Sequence, residues 1–243
     1  MTSEVHSGDG WPDPAGVGPS APSGSLMLNG ARWDMLDREF LDRPVLQAAP
    51  KLLGCLLAHE TDDGLVAAEI VEVEAYRGES DPASHAFRGK TARNAVMFGE
   101  AGHAYVYFTY GMHFCVNLVC QAPGHAAAVL LRAGRVVAGA ELAAKRRGAR
   151  AVAERDLARG PARLCQALGI ERPQNGADVC DPASPLRVLA RPGFDGLPSG
   201  TISSGPRVGV RLGAEDPWRF WVTGEPAVSV FRPYMPKRRT PLA

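Results

Sequence analysis

The sequence predicts an α+β fold: a single domain on a curved, mostly antiparallel β-sheet flanked by helices. Segments rich in β-branched and aromatic residues recur and are joined by short turn signals such as Asp62-Asp63-Gly64 and Gly111. Helical patterns are few, and no internal repeat is present. The length, 243 residues of which 45% are hydrophobic, suits one sizeable core with tails.

Taken in order, residues 1–32 are rich in Gly, Ser, Pro and Asp and predict a disordered extension, because they cannot bury enough apolar surface to fold. Order is expected from Trp33, in a domain spanning 33–232. A short helix is predicted over 36–41. Asp42 and Pro44 open a second, whose apolar period (Val45, Leu46, Ala49, Leu52, Leu53) runs past a kink at Pro50 to Gly54. Strands follow at 55–60 and 65–76. The loop 77–90 is polar and carries Asp81-Pro82 and His85. A helical turn is expected over 91–98, with Arg93 and Asn94 exposed. Strands at 103–109, 113–121 and 126–133 come next, and Gly111 supplies the positive φ of a hairpin tip that presents Tyr110 and Met112. Helices are read over 137–147 and from Pro161 to a stop at Gly169. If the second were continuous upstream, Arg155, Arg159 and Arg163 would share a face. The Pro- and Gly-rich stretch 171–206 holds one strand at 186–190, and strands return at 207–212, 219–223 and 227–231. The tail 233–243 carries the basic cluster Lys237-Arg238-Arg239.

Composition excludes several classes. No apolar run reaches the length of a membrane span, and the first thirty residues lack the pattern of a signal peptide. A cytoplasmic protein is expected, associated with the nucleoid in a bacterium or nuclear in a eukaryote. The five cysteines are odd in number and form no CxxC pair, which speaks against a disulfide framework or a zinc site; no metal or cofactor is expected. The net charge of +1 is uninformative, but its distribution is not. Residues 1–85 hold 5 Lys/Arg against 15 Asp/Glu, and residues 86–243 hold 22 against 11, so the later part can follow a phosphate backbone.

Polar residues that look placed for chemistry concentrate between Glu69 and Arg132. With strand alternation, Ile70, Glu72, Glu74 and Tyr76 share one face and Val71, Val73 and Ala75 the other. A carboxylate pair on a strand face is ordinarily solvated; its company here is Tyr76, His85, Tyr105, Tyr107, Tyr110, His113, Asn117 and Arg132. Arg132 is a charge within the apolar run Val129-Leu130-Leu131. Arg93, Lys145, Arg146 and Arg147 are candidates for phosphate contact.

The segments VEVEAYRG, the histidine loop after it, TARNAVMF, YVYFTYGMHFCVN and VLLRA, in this order, resemble the alkyladenine (3-methyladenine) DNA glycosylase family over roughly residues 40–230. The resemblance implies a base-excision repair enzyme that flips alkylated purines out of duplex DNA and hydrolyses the N-glycosidic bond, without cofactor or strand cleavage. It implies Glu74 as the general base and Arg132 beside the attacking water. Tyr76 and Tyr107 would stack on the extruded base, His85 would contact the sugar-phosphate or base edge, and Asn117 would line the pocket. Tyr110 would intercalate with Met112 next to it. The expected partner is double-stranded DNA with a damaged purine (3-methyladenine or 7-methylguanine, with hypoxanthine and ethenoadenine as further candidates), bound by a monomer. Two other readings stand beside it. One is a non-catalytic nucleic-acid-binding domain. The other is a sugar hydrolase using Glu72 with Glu74, against which the parallel course of same-face side chains argues.

Overall fold

The computed structural model describes residues 24–109, 111–148 and 152–235. Its elements are β1 (Ser25–Leu28), β2 (Ala31–Met35), α1 (Arg38–Leu41), α2 (Val45–Lys51), β3 (Leu56–Thr61), β4 (Gly64–Tyr76), β5 (Ala104–Thr109), β6 (His113–Cys120), β7 (Ala127–Ala138), α3 (Ala140–Arg146), β8 (Ala158–Arg159), α4 (Pro161–Leu168), β9 (Leu186–Ala190), β10 (Ile202–Gly205) and β11 (Arg219–Val222). The strands form one sheet in the order β1-β2-β9-β3-β4-β7-β6-β5, with every described pairing antiparallel. The α+β architecture predicted from the sequence is the one observed.

β4 is the axis of the sheet. One edge pairs with β7 over nearly its whole length. The other edge is shared: β3 takes residues 64–69, and β11 takes Glu72, Val73 and Glu74. The segment bearing the carboxylates is therefore bonded on both sides. Its pairing with β7 slips between Ile70 and Glu72 and again between Glu72 and Val73, a bulge that re-aims side chains. The simple alternation expected from Ile70 to Tyr76 breaks there. Ile70 joins Val73 and Ala75 in the main core, while Val71 packs in a small separate cluster with Ala133 and Ala227.

The main core lies between this sheet and helices α2 and α4: α2 and the turn after it contribute Ala48, Ala49, Leu52 and Leu53, and α4 contributes Leu164, Cys165 and Leu168. Each fully buried leucine contributes about 1.5–3 kcal/mol by leaving water. α4 opens with Pro161 in its first turn and stops at Gly169 in the left-handed region, as its sequence indicates. Gly78 turns the chain out of β4. A β-carbon there would stand 2.0 Å from the Ala126 carbonyl oxygen, and φ is +67°, so only glycine fits.

Several boundaries differ from expectation. The sheet begins at Ser25, ahead of Trp33, because Leu26 and Leu28 pack with Trp33 across the β1–β2 hairpin. β7 runs on to Ala138, so α3 starts only at Ala140. Asn94 is buried instead of exposed. Its amide donates to the His85 and Gly89 carbonyls and its oxygen accepts from Thr91, so it folds the histidine loop. Arg159 sits in β8, which interrupts any common helical face with Arg155 and Arg163. Residues 207–212 and 227–231 form no strand; β10, over Ile202–Gly205, pairs with β11 in their place. In both stretches a backbone N–H goes to a buried carboxylate in place of a strand partner, Val208 to Glu74 at 2.7 Å and Ser229 to Glu72 at 2.7 Å.

Candidate active site

The two glutamates are fully buried, so the solvated-face reading of the pair is overturned. Their surroundings differ. Glu72 Oε1 accepts from Arg132 Nε (2.8 Å), Arg219 Nε (2.7 Å) and Ser229 Oγ (2.9 Å), and its Oε2 accepts from Ser229 N (2.7 Å). An ionised carboxylate offers about four lone-pair directions, so Glu72 is saturated. Burial pushes its carboxyl upward, but Arg132 and Arg219 outweigh that and hold it below the ordinary carboxylate value. It is a fixed anion that anchors Arg132.

Glu74 accepts hydrogen bonds from Val208 N on Oε1 (2.7 Å) and from the Tyr76 hydroxyl on Oε2 (2.8 Å), and its Oε1 forms an ion pair with Arg132 Nη1 at 3.3 Å. That leaves about two lone-pair directions without a hydrogen bond. Glu74, not Glu72, lines an open cleft of about 530 Å³, whose walls include Tyr76, Tyr107, Cys115, Arg132 and Leu212. Arg132 is buried, which disfavours its charge, yet Glu74 and Glu72 together raise its pKa. The Tyr76 hydroxyl is raised well above its usual value, first by burial and then by Glu74, so it stays a donor.

The cleft leads to a smaller hollow of about 60 Å³ lined by Tyr76, His85, Met97, Tyr105, Tyr107 and Asn117. β5 presents Tyr105 and Tyr107 on one face, stacked with centroids 5.5 Å apart. The His85 ring stands edge-on to Tyr107 at 4.5 Å, and its Nδ1 lies 3.1 Å from the Tyr105 hydroxyl. Burial, with Arg93 nearby, lowers the His85 pKa and favours neutral imidazole. Asn117 faces Tyr105 across the β5–β6 ladder and donates to its carbonyl at 3.0 Å while still lining the hollow.

Of the residues singled out in the sequence, Glu74, Arg132, Tyr76, His85, Tyr107 and Asn117 thus come together. Met112 is exposed at the β5–β6 hairpin tip, where Gly111 has φ +67°. Tyr110 lies outside the described residues, as do Lys237, Arg238 and Arg239. Arg93 packs over Tyr107 and donates to the Phe108 carbonyl. Lys145 is exposed, whereas Arg146 and Arg147 donate to Thr61 and Gln166.

Four supporting residues carried no signal in the sequence. Arg219 and Ser229 complete the shell of Glu72. Arg207 and Asp81 form a fully buried pair at 2.6 and 2.9 Å, and the Arg207 guanidinium lies between the Tyr76 and Trp218 rings, 4.8 and 4.9 Å from their centroids. The hydrogen bonds of Arg219 and Ser229 to Glu72 and of Arg207 to Asp81 span 126 to 157 residues of chain, beyond the reach of any local pattern.

A buried, partly unsatisfied carboxylate thus faces a cleft that continues into an aromatic hollow. The methylpurine-DNA glycosylase family profile matches residues 39–226, and the chain belongs to that family of DNA glycosylases. It is 52% identical over 206 residues to a Streptomyces avermitilis protein named "Putative 3-methyladenine DNA glycosylase", covering 84% of this chain and 95% of that one. Proteins of the same name from Frankia casuarinae (49% over 211 residues, 84% and 96% covered) and Methanocella arvoryzae (47% over 198 residues, 80% and 96% covered) are similar to it. No helix among the described residues is long and apolar enough to cross a membrane.

Proposed function

We propose that this protein removes alkylated purines, 3-methyladenine and 7-methylguanine first among them, from duplex DNA by hydrolysis of the N-glycosidic bond. The observation that carries the reading is the remaining acceptor capacity on Glu74, in a cleft that runs on into the Tyr76–His85–Tyr107 hollow. The extruded purine takes the hollow, and its positive charge is attracted by the electron-rich rings of Tyr76 and Tyr107. Glu74 accepts a proton from water as the water oxygen bonds to C1′. The C1′–N bond breaks with its electron pair going to the purine, whose charge is thereby neutralised, so no acid is needed for the leaving group. The oxocarbenium-like sugar is stabilised by the adjacent carboxylate. Arg132, anchored by Glu72, positions the water.

Met112, exposed at the hairpin tip, fills the gap left in the duplex, a role shared with Tyr110. With no lysine in the cleft lining, the product is an abasic site on an intact strand. The unit that acts is a monomer, working where the cell keeps its DNA. Lys145 contributes a phosphate contact; Arg93, Arg146 and Arg147 are first engaged with the protein's own Phe108, Thr61 and Gln166.

The test is release of free base from a duplex containing 3-methyladenine or 7-methylguanine, with the intact protein and with Glu74→Gln. Release by the first, reduced by about 10²–10⁴-fold in the second, is expected. Equal release by both moves the base away from Glu74. Tight binding without release by either favours a non-catalytic binding domain.

A further inference from the structure

Beside the catalytic cleft lies a second basin, of about 340 Å³, that the reaction described above does not use. It shares Arg132, Pro161 and Val208 with the cleft as a common wall. Its other walls carry Arg159, Arg163 and Arg232, and among its described residues the one carboxylate is Asp156. Asp156 is divided among Arg155 (3.7 Å), Arg159 (3.3 Å) and Arg163 (3.9 Å), so the basin keeps a surplus of positive charge. Arg232 is exposed, and the Arg163 side chain is about half exposed.

Arg159 is held in place more firmly than a surface arginine. The two-residue strand β8 pairs it with Ala133 of β7, the neighbour of Arg132. Its Nε donates to the Val228 carbonyl at 2.8 Å. A guanidinium fixed at its Nε still offers N–H groups on its outer nitrogens. It is thereby aimed into the basin at little further entropic cost.

A nucleotide whose C1′ lies at Glu74 carries a phosphodiester on each side of its sugar. Each must leave the cleft through an opening where its charge is compensated, because an unpaired buried anion is costly. The basin is such an opening, with the sign of charge a phosphate requires. We infer that it seats one backbone phosphate of the strand bearing the extruded nucleotide, with Arg159, Arg163 and Arg232 as its ligands. This rests on the glycosylase reading and extends it to residues for which the sequence offered no role.

The test compares the paired variant Arg163→Gln/Arg232→Gln with a control pair outside both basins, Arg32→Gln/Arg135→Gln. Duplex binding is measured from 50 to 300 mM salt, together with the unfolding temperature and single-turnover base release. One lost phosphate contact lowers the log–log salt slope by about 1 and weakens binding roughly tenfold at 0.1 M salt. That result in the first pair, with its unfolding temperature unchanged and the control pair like wild type, is expected. An unaltered slope in the first pair, or the same loss in both pairs, overturns the assignment while wild-type release leaves the glycosylase reading intact. A wild-type protein that neither binds duplex nor releases base overturns both.

Discussion

Removing the Asp81 charge is expected to destabilise the protein severely while leaving every catalytic side chain in the chain. Asp81 and Arg207 are both fully inaccessible to solvent. Asp81 accepts two N–H groups from Arg207 and the backbone N–H groups of Arg77 (3.1 Å) and Ala83 (3.0 Å). Asn has nearly the same shape but only one accepting oxygen, so donors are left facing an amide NH₂ and the buried guanidinium keeps its charge with only the partly exposed Asp216, at 4.0 Å, opposite it. Breaking one partner of a buried pair costs about 3–5 kcal/mol. For a domain of this size each kcal/mol moves the unfolding temperature by about 2–4 °C, so Asp81→Asn should lower it by roughly 6–20 °C. Equilibrium urea unfolding supplies the free energy directly. In the double variant Asp81→Asn/Arg207→Met the stranded charge is gone, and part of the loss should return. A single-variant loss under about 1 kcal/mol, or a double variant that equals the sum of the singles, would refute the claim that the cost arises from a poorly compensated buried charge.

Tyr76→Phe deletes the hydroxyl that orients Glu74 and should slow single-turnover base release by roughly tenfold, measured under saturating enzyme. His85 has a lowered folded pKa, so the unfolded chain binds its proton first as pH falls below the ordinary histidine value. Stability attributable to His85 is therefore present above that value and declines as pH drops toward its folded pKa. Unfolding of His85→Gln should show a shallower pH slope over that window than wild type, with buried His59, lowered in the same direction, supplying the remainder. Four of the five thiols are buried, Cys120 among them with its pKa pushed up to about 12 by burial. A thiol reagent should therefore modify about one equivalent, at Cys180, in the native protein and all five after denaturation.

The local signals proved reliable where chemistry was local. The β5–β6 hairpin, the stop of α4 at Gly169 and the shared face of Tyr105 and Tyr107 follow from period and turn residues alone. The carboxylates were visible as an oddity in an apolar strand, but their separate roles were not. What distinguishes them is the number of donors each receives, and those donors arrive from Arg132, Val208, Arg219 and Ser229, far along the chain. Residues 207–212 and 227–231 read as strands because their apolar content suits one. In each, a side-chain oxygen takes a backbone N–H that a neighbouring strand would have taken. Asn94 was misplaced for a related reason: a polar residue in a polar loop gives no sign that it is the loop's own internal template.

The amide that Val208 presents to Glu74 belongs to the main chain, and nineteen of the twenty amino acids can supply it equally well. The position should therefore tolerate wide replacement among relatives without loss of the bond, with proline alone barred. A comparison of sequences that scores importance by invariance would pass over it. Some of the groups that hold a catalytic carboxylate are thus written in the path of the backbone, where substitution leaves no trace.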